Sequence, residues 1–198
     1  QISSGRLILG LGVGWLAEEF EALGMGRFFA RRGSVTDEWI EVLRRLWTAE
    51  APVGWNGRFI SFEPVTAYPR PYQESMPVWV GGKTDVAIRR AARFGDGYHS
   101  ISSSPADLAT EVSRLHEEMA KQGRDSSRVT VSMSGRVTAT SREELIDVLG
   151  RYDEAGLDHL LGVPAWFEAT PAATGQARLE AQIEHLQRFA EDVRPHIA

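Results

Sequence analysis

Strand–helix alternation, repeated five times along 198 residues, predicts an α/β fold on a parallel sheet. Three observations carry this. Short apolar runs such as Val78-Trp79-Val80 are each followed by an amphipathic stretch. Glycine turns stand at the strand-to-helix junctions, at Gly10–Gly14 and Gly81-Gly82. Serine-type caps open the later helices. Five units do not close an eight-stranded barrel, so the expected architecture is the last five βα units of a (βα)8 TIM-barrel type, an incomplete barrel. Residues 1–198 form one partial-barrel domain on this reading.

The first strand is placed at Arg6–Leu11, followed by a helical stretch near Leu16–Leu23. In the next helix, about Val35–Trp47, the apolar residues Val35, Trp39, Ile40, Leu43, Leu46 and Trp47 recur at helical spacing, which assigns Trp39 and Trp47 to the core. Ser34 or Thr36 is the candidate cap. Residues 49–77 read as an insertion with a small hairpin, because Asn56-Gly57 separates two β-type runs. Pro64, Pro69, Pro71 and Pro77 keep the rest extended. Strand 78–81 then leads to helix 84–94, and strand 97–101 to helix 105–122, capped by Ser104-Pro105. Strand 129–138 leads to helix 142–155, where Ser141 and Glu144 suit a capping box. Strand 158–162 leads through a loop around Pro164 and Pro171 to a final helix near 175–193.

Composition narrows the function. The net charge of −5 disfavours nucleic-acid partners. There is no cysteine, hence no disulfide, thiolate metal site or cysteine nucleophile, which fits a cytoplasmic protein. Neither a signal peptide nor a membrane-spanning run is expected. Only Lys83 and Lys121 are available for Schiff-base chemistry, and no paired strand-end carboxylates accompany them, so a barrel aldolase or isomerase ranks low. The five histidines show no metal-ligand spacing, and no metal is expected.

Gly81-Gly82-Lys83-Thr84 is the main candidate site. A glycine turn between strand and helix leaves backbone N–H groups unpaired where the helix dipole favours an anion, and Lys83 adds positive charge. This suggests a phosphate-bearing ligand. It is not a P-loop, because the first glycine of that motif falls on Pro77. Gly10, Gly12 and Gly14 resemble a dinucleotide fingerprint, but Trp15 occupies the last glycine position and no acidic second strand follows. They suit either a plain positive-φ turn or a strand end where a flat ring lies against bare backbone. Gly95-Asp96-Gly97 reads as a structural turn with Gly95 as C-cap. His99 sits toward the C-terminal end of its strand, where barrels place their chemistry, and is the candidate proton donor.

The order of these pieces resembles the bacterial luciferase-like monooxygenases, and more narrowly their branch using the deazaflavin coenzyme F-420. The resemblance is carried by Gly5–Trp15, Glu18–Gly24, Thr36–Trp47, Trp55–Phe62, Pro77–Gly82, Ala87–Ala92 and Gly95–His99. It implies a (βα)8 barrel with an insertion between strands four and five, entered here at strand four, so that the first three units lie outside this sequence. It implies that Val80, Gly81 and Gly82 bind the cofactor phosphate through backbone N–H groups. The loop Gly12–Trp15 is expected near the ring, with the segment Tyr98–Ile101 lining the pocket. The implied cofactor is F-420, for hydride transfer between it and a small-molecule substrate, or FMN, for monooxygenation. The alternative is a non-catalytic flavin-binding chain, or a barrel completed by a partner. A homodimer, or association through the incomplete barrel, is the expected assembly.

Overall fold

The computed structural model describes residues 2–73, 75–134, 137, 139–162 and 176–197. Five parallel strands form one sheet in the order β1 (Leu9–Leu11), β4 (Val78–Gly81), β5 (Gly97–Ser100), β6 (Thr130–Ser134) and β7 (His159–Leu161). Apart from the hairpin strands β2 (Val53–Asn56) and β3 (Ser61–Val65), which pair antiparallel on their own, spatial order follows chain order. That is the arrangement of consecutive barrel units. The helices are α1 (Ala17–Ala22), α2 (Arg32–Thr48), α3 (Asp85–Phe94), α4 (Pro105–Lys121), α5 (Arg142–Glu154) and α6 (Gln176–Arg188). No helix among the described residues is long and apolar enough to cross a membrane.

Successive strand residues point to opposite faces. Val78, Val80, Tyr98, Val131 and Met133 turn outward and pack with Ile88, Leu108, Leu115 and Leu145 of the covering helices, all nearly or fully buried. Each such aliphatic side chain contributes about 1.5–3 kcal/mol by leaving water. The inner face carries Gly81, His99, Ser132 and Ser134, and is polar toward the C-terminal strand ends. Trp79 also faces inward. Its ring lies across Gly97, where any Cβ would stand 2.4 Å from it, and meets His159 edge-on at 5.4 Å.

The N-terminal strand ends are held by acidic side chains. Asp96 Oδ2 accepts from Val78 N–H (2.9 Å) and from Arg44 (2.8 Å). Asp158 Oδ2 accepts from Val131 N–H in the same way (2.7 Å). Each carboxylate takes the place of a ladder partner that the neighbouring strand begins too late to supply. Gly95-Asp96-Gly97 is therefore structural, but Gly95 is extended (φ −78°) rather than left-handed. It is glycine for room, since a Cβ would meet Gly97 O at 2.7 Å.

Several sequence expectations need correction. β1 has three residues, not six, because pairing starts only where β4 offers Pro77 O to Leu9 N–H. α2 begins at Arg32, continuing a 3-10 turn over Gly26–Arg31, so neither Ser34 nor Thr36 caps it; Thr36 Oγ1 donates back to Arg32 O. Trp39 is 41% exposed and lines an apolar cleft of about 290 Å³ beside the β1 loop instead of the core. Ser141 caps α5, but Glu144 returns to Thr140 N–H, one residue before the reciprocal position of a capping box. The loop around Pro164 and Pro171 lies outside the described residues.

Asp96→Ala is expected to cost about 1–3 kcal/mol, because the N–H of fully buried Val78 loses its acceptor. A urea unfolding midpoint unchanged from the parent would contradict this.

Candidate functional site

Parallel order brings the loops after β1, β4 and β5 to one edge of the sheet, the C-terminal edge. Gly12, Gly14 and Trp15 occupy the first loop. Gly14 has φ +75°, and its carbonyl accepts from Arg32 Nε (3.0 Å). Trp15 is 81% exposed. A side chain at Gly10 or Gly12 would meet no atom within 4 Å, and one at Gly81 would make only ordinary contacts, beginning with Leu11 O at 3.7 Å. Packing does not demand these three glycines. Their common effect is a patch of bare backbone across two adjacent strand ends.

The second loop is the glycine turn. Val80 and Gly81 lie inside the ladder, in register with Leu11 and His99 respectively. Val80 turns its side chain into the core. Gly82 has φ +129°, a left-handed backbone in which a Cβ would press on Ala87 Cβ at 2.9 Å. Its N–H donates to His99 O (3.2 Å), so the ladder runs one residue past β4. The unpaired donors therefore begin at Lys83, not at Val80. No described residue accepts from the N–H of Lys83 or Thr84. Thr84 is the N-cap of α3: its Oγ1 accepts from Ala87 N–H (3.3 Å), which leaves its hydroxyl hydrogen as a donor. Lys83 is exposed, and among the described residues no carboxylate pairs with it. Asp85, in the first turn, would oppose an anion, but it is ion-paired to Arg114 of α4.

The third strand end divides its side chains between two faces. His99 faces inward, with Nδ1 2.9 Å from Ser132 Oγ and Nε2 3.1 Å from Ser134 Oγ. Ser132 Oγ also lies 3.3 Å from Tyr98 O, and when it donates there it accepts from His99 Nδ1–H. This arrangement corresponds to the Nδ1–H tautomer, with the Nε2 lone pair facing Ser134 O–H. Burial lowers the His99 pKa, which keeps the ring neutral. A neutral ring with this tautomer offers a proton acceptor at Nε2. Of the expected lining segment Tyr98–Ile101, His99 faces the inside, and Ile101 is exposed just past the strand end. Tyr98 and Ser100 turn to the helix side, and both reach Glu111 of α4.

Glu111, Ser132 and Ser134 were not among the sequence candidates, and Tyr98 and Ser100 were expected to line the pocket, not to meet Glu111. Two signals were present. Ser132 and Ser134 share a face at strand period, beside a strand carrying a histidine. Glu111 interrupts the apolar stripe Leu108, Val112, Leu115 of α4. No cluster of potential metal ligands exists among the described residues.

Because the folded His99 pKa lies below the unfolded value, its contribution to stability is full above about 6.5 and is lost as pH falls through the folded midpoint. The His99 ring resonance should titrate with a midpoint below 6.5; a midpoint at or above that value would refute the neutral-ring assignment.

A family model described as luciferase-like monooxygenase matches residues 1–197. An uncharacterized protein of Mycobacterium tuberculosis is 31% identical over 184 residues, covering 92% of this chain and 61% of the relative. An F420-dependent glucose-6-phosphate dehydrogenase of Segniliparus rotundus is 35% identical over 125 residues, covering 61% of this chain and 36% of the relative. The chain thus spans about three fifths or less of the length of these relatives. Among solved structures, an F420-dependent secondary alcohol dehydrogenase in complex with an F420-acetone adduct superposes with a TM-score of 0.78 at 17% identity. That match covers all of this chain and 72% of the other, a likeness of fold.

Proposed function

The chain belongs to the luciferase-like monooxygenase family, and we propose that it forms the phosphate-binding and catalytic edge of an oxidoreductase that uses coenzyme F-420. One observation carries this reading. Unaccepted N–H groups of Lys83 and Thr84, at the start of α3, stand beside the bare backbone of Gly10, Gly12 and Gly81. The first feature suits a phosphate and the second a flat ring, so the residues present fit a ribityl-phosphate coenzyme. The F420-dependent relative of Segniliparus rotundus favours the deazaflavin over FMN.

On this reading Lys83 N–H, Thr84 N–H, the Thr84 hydroxyl and the Lys83 ammonium hold the phosphate, supported by the α3 dipole. Asp85 is kept from opposing it by Arg114. Gly10, Gly12 and Gly81 let the ring approach the backbone, and Trp15 offers an aromatic face beside it. A bound deazaflavin supplies two-electron hydride chemistry; the protein positions, orients and excludes water. His99 Nε2 accepts a proton from the small-molecule substrate, its orientation set by Ser132 and Ser134. This role reverses the donor role expected from the sequence, because burial keeps the ring neutral.

Fluorescence titration of the chain with F-420 and FMN in parallel tests the reading. F-420 should bind more tightly, and preferential binding of FMN would shift the chemistry to monooxygenation. Lys83→Glu should weaken binding by roughly 10-fold at low salt, with the difference shrinking as salt screens the charge. Binding of neither coenzyme, or a Lys83→Glu affinity equal to the parent's, would remove the phosphate from this turn.

A further inference from the structure

The outward face of β5 carries a buried polar cluster that the proposed chemistry leaves unused. Tyr98 and Ser100 are fully buried and Glu111 is 9% exposed. Tyr98 Oη lies 2.7 Å from Gly82 O and 2.9 Å from Glu111 Oε2. Ser100 Oγ lies 2.6 Å from the same carboxylate oxygen, and it accepts from Ser102 N–H at 2.9 Å. No buried side-chain polar atom in the cluster lacks a partner. Such a network in an apolar layer costs desolvation that aliphatic residues would avoid. What distinguishes it is where it ends: on the carbonyl of Gly82 and on the loop after β5.

The Gly82–Lys83 peptide is trans and planar, so its C=O and N–H point in opposite directions. A hydroxyl that draws Gly82 C=O toward the helix-side core must turn Lys83 N–H away from it. Gly82, with φ +129°, gives this peptide little steric resistance to rotation. Without the tyrosine hydroxyl, nothing among the described residues bonds that carbonyl. The phenol keeps its proton, since burial and the adjacent Glu111 both raise its pKa, so it remains a donor whose one hydrogen is shared between Gly82 O, the nearer acceptor, and Glu111 Oε2.

We infer that Tyr98 is a positioning residue, whose hydroxyl, anchored by Glu111 and Ser100, fixes the Gly82–Lys83 peptide so that Lys83 N–H faces the ligand phosphate. This rests on the phosphate reading of the turn. Glu111 also sets the β5 loop through Ser100 and Ser102, so one carboxylate on α4 organises two neighbouring loops of the site.

The test compares each coenzyme with its phosphate-free form: FMN against riboflavin, and F-420 against its phosphate-free ribityl deazaflavin. In the parent chain the phosphate should improve affinity, and Tyr98→Phe should cut that improvement about tenfold or more while leaving affinity for the phosphate-free ring unchanged. A parent that gains nothing from the phosphate overturns the phosphate reading, and the inference with it. A parent that gains, with a cooperatively melting Tyr98→Phe that gains equally, overturns the inference alone. Equal losses for both forms of the ligand would make Tyr98 merely structural and also overturn it. Should Tyr98→Phe fail to fold, amide resonances of the parent titrated with inorganic phosphate decide. The Lys83 N–H should shift and the Gly82 N–H, bonded to His99 O, should not; the opposite pattern overturns the orientation.

Discussion

The hydrogen bond from Gly82 N–H to His99 O marks where the sheet stops and the site starts. Up to that bond, each backbone donor of β4 has an obligatory place in the ladder between β1 and β5. Beyond it the chain turns through a left-handed glycine into α3, whose first N–H groups have no intrahelical acceptor. That no described residue accepts from the N–H of Lys83 or Thr84 follows from this geometry. A ladder one residue shorter would expose Gly82 N–H as well, and one residue longer would consume Lys83.

Strand β5 serves two purposes through its two faces. His99 points inward to Ser132 and Ser134, while Tyr98 and Ser100, its immediate neighbours, point outward to Glu111. The strand period allows no compromise: shifting the register by one residue would bury the imidazole among the helices and expose the phenol on the inner face. The register is held at the other end of the sheet, where Asp96 bonds the N–H of Val78 in β4 and Asp158 that of Val131 in β6. Charged groups at the N-terminal edge thus serve stability, and those of the proposed binding site stand at the C-terminal edge. Arg44 reinforces the division by pairing with Asp96 and bridging to Phe94 O (2.7 Å).

Much of the fold is legible in the sequence because it depends on local periodicity. The spans of β4, α3, α4 and α5 follow from apolar spacing and from Thr84, Ser104 and Ser141, whose oxygens accept helical N–H groups as their position suggests. The hairpin follows from Asn56-Gly57. Two expectations failed because of a partner remote in sequence. β1 is cut short by the start of β4, and Trp39 is drawn to the β1 loop, although its helical spacing matches that of buried Val35 and Ile40.

The sequence by itself determined that a glycine turn, a lysine and a helix start occur together, and that a histidine stands near a strand end. Both are properties of contiguous residues, readable from chemistry and spacing. Tertiary structure alone decided which N–H groups remain free, because that depends on how far β5 carries the ladder. It also decided that both ring nitrogens of His99 face serine hydroxyls, because Ser132 and Ser134 lie 33 and 35 residues away. The link from Glu111 through Tyr98 to the Gly82 carbonyl was illegible for the same reason: it joins a helix, a strand and a turn that meet only once the sheet has assembled.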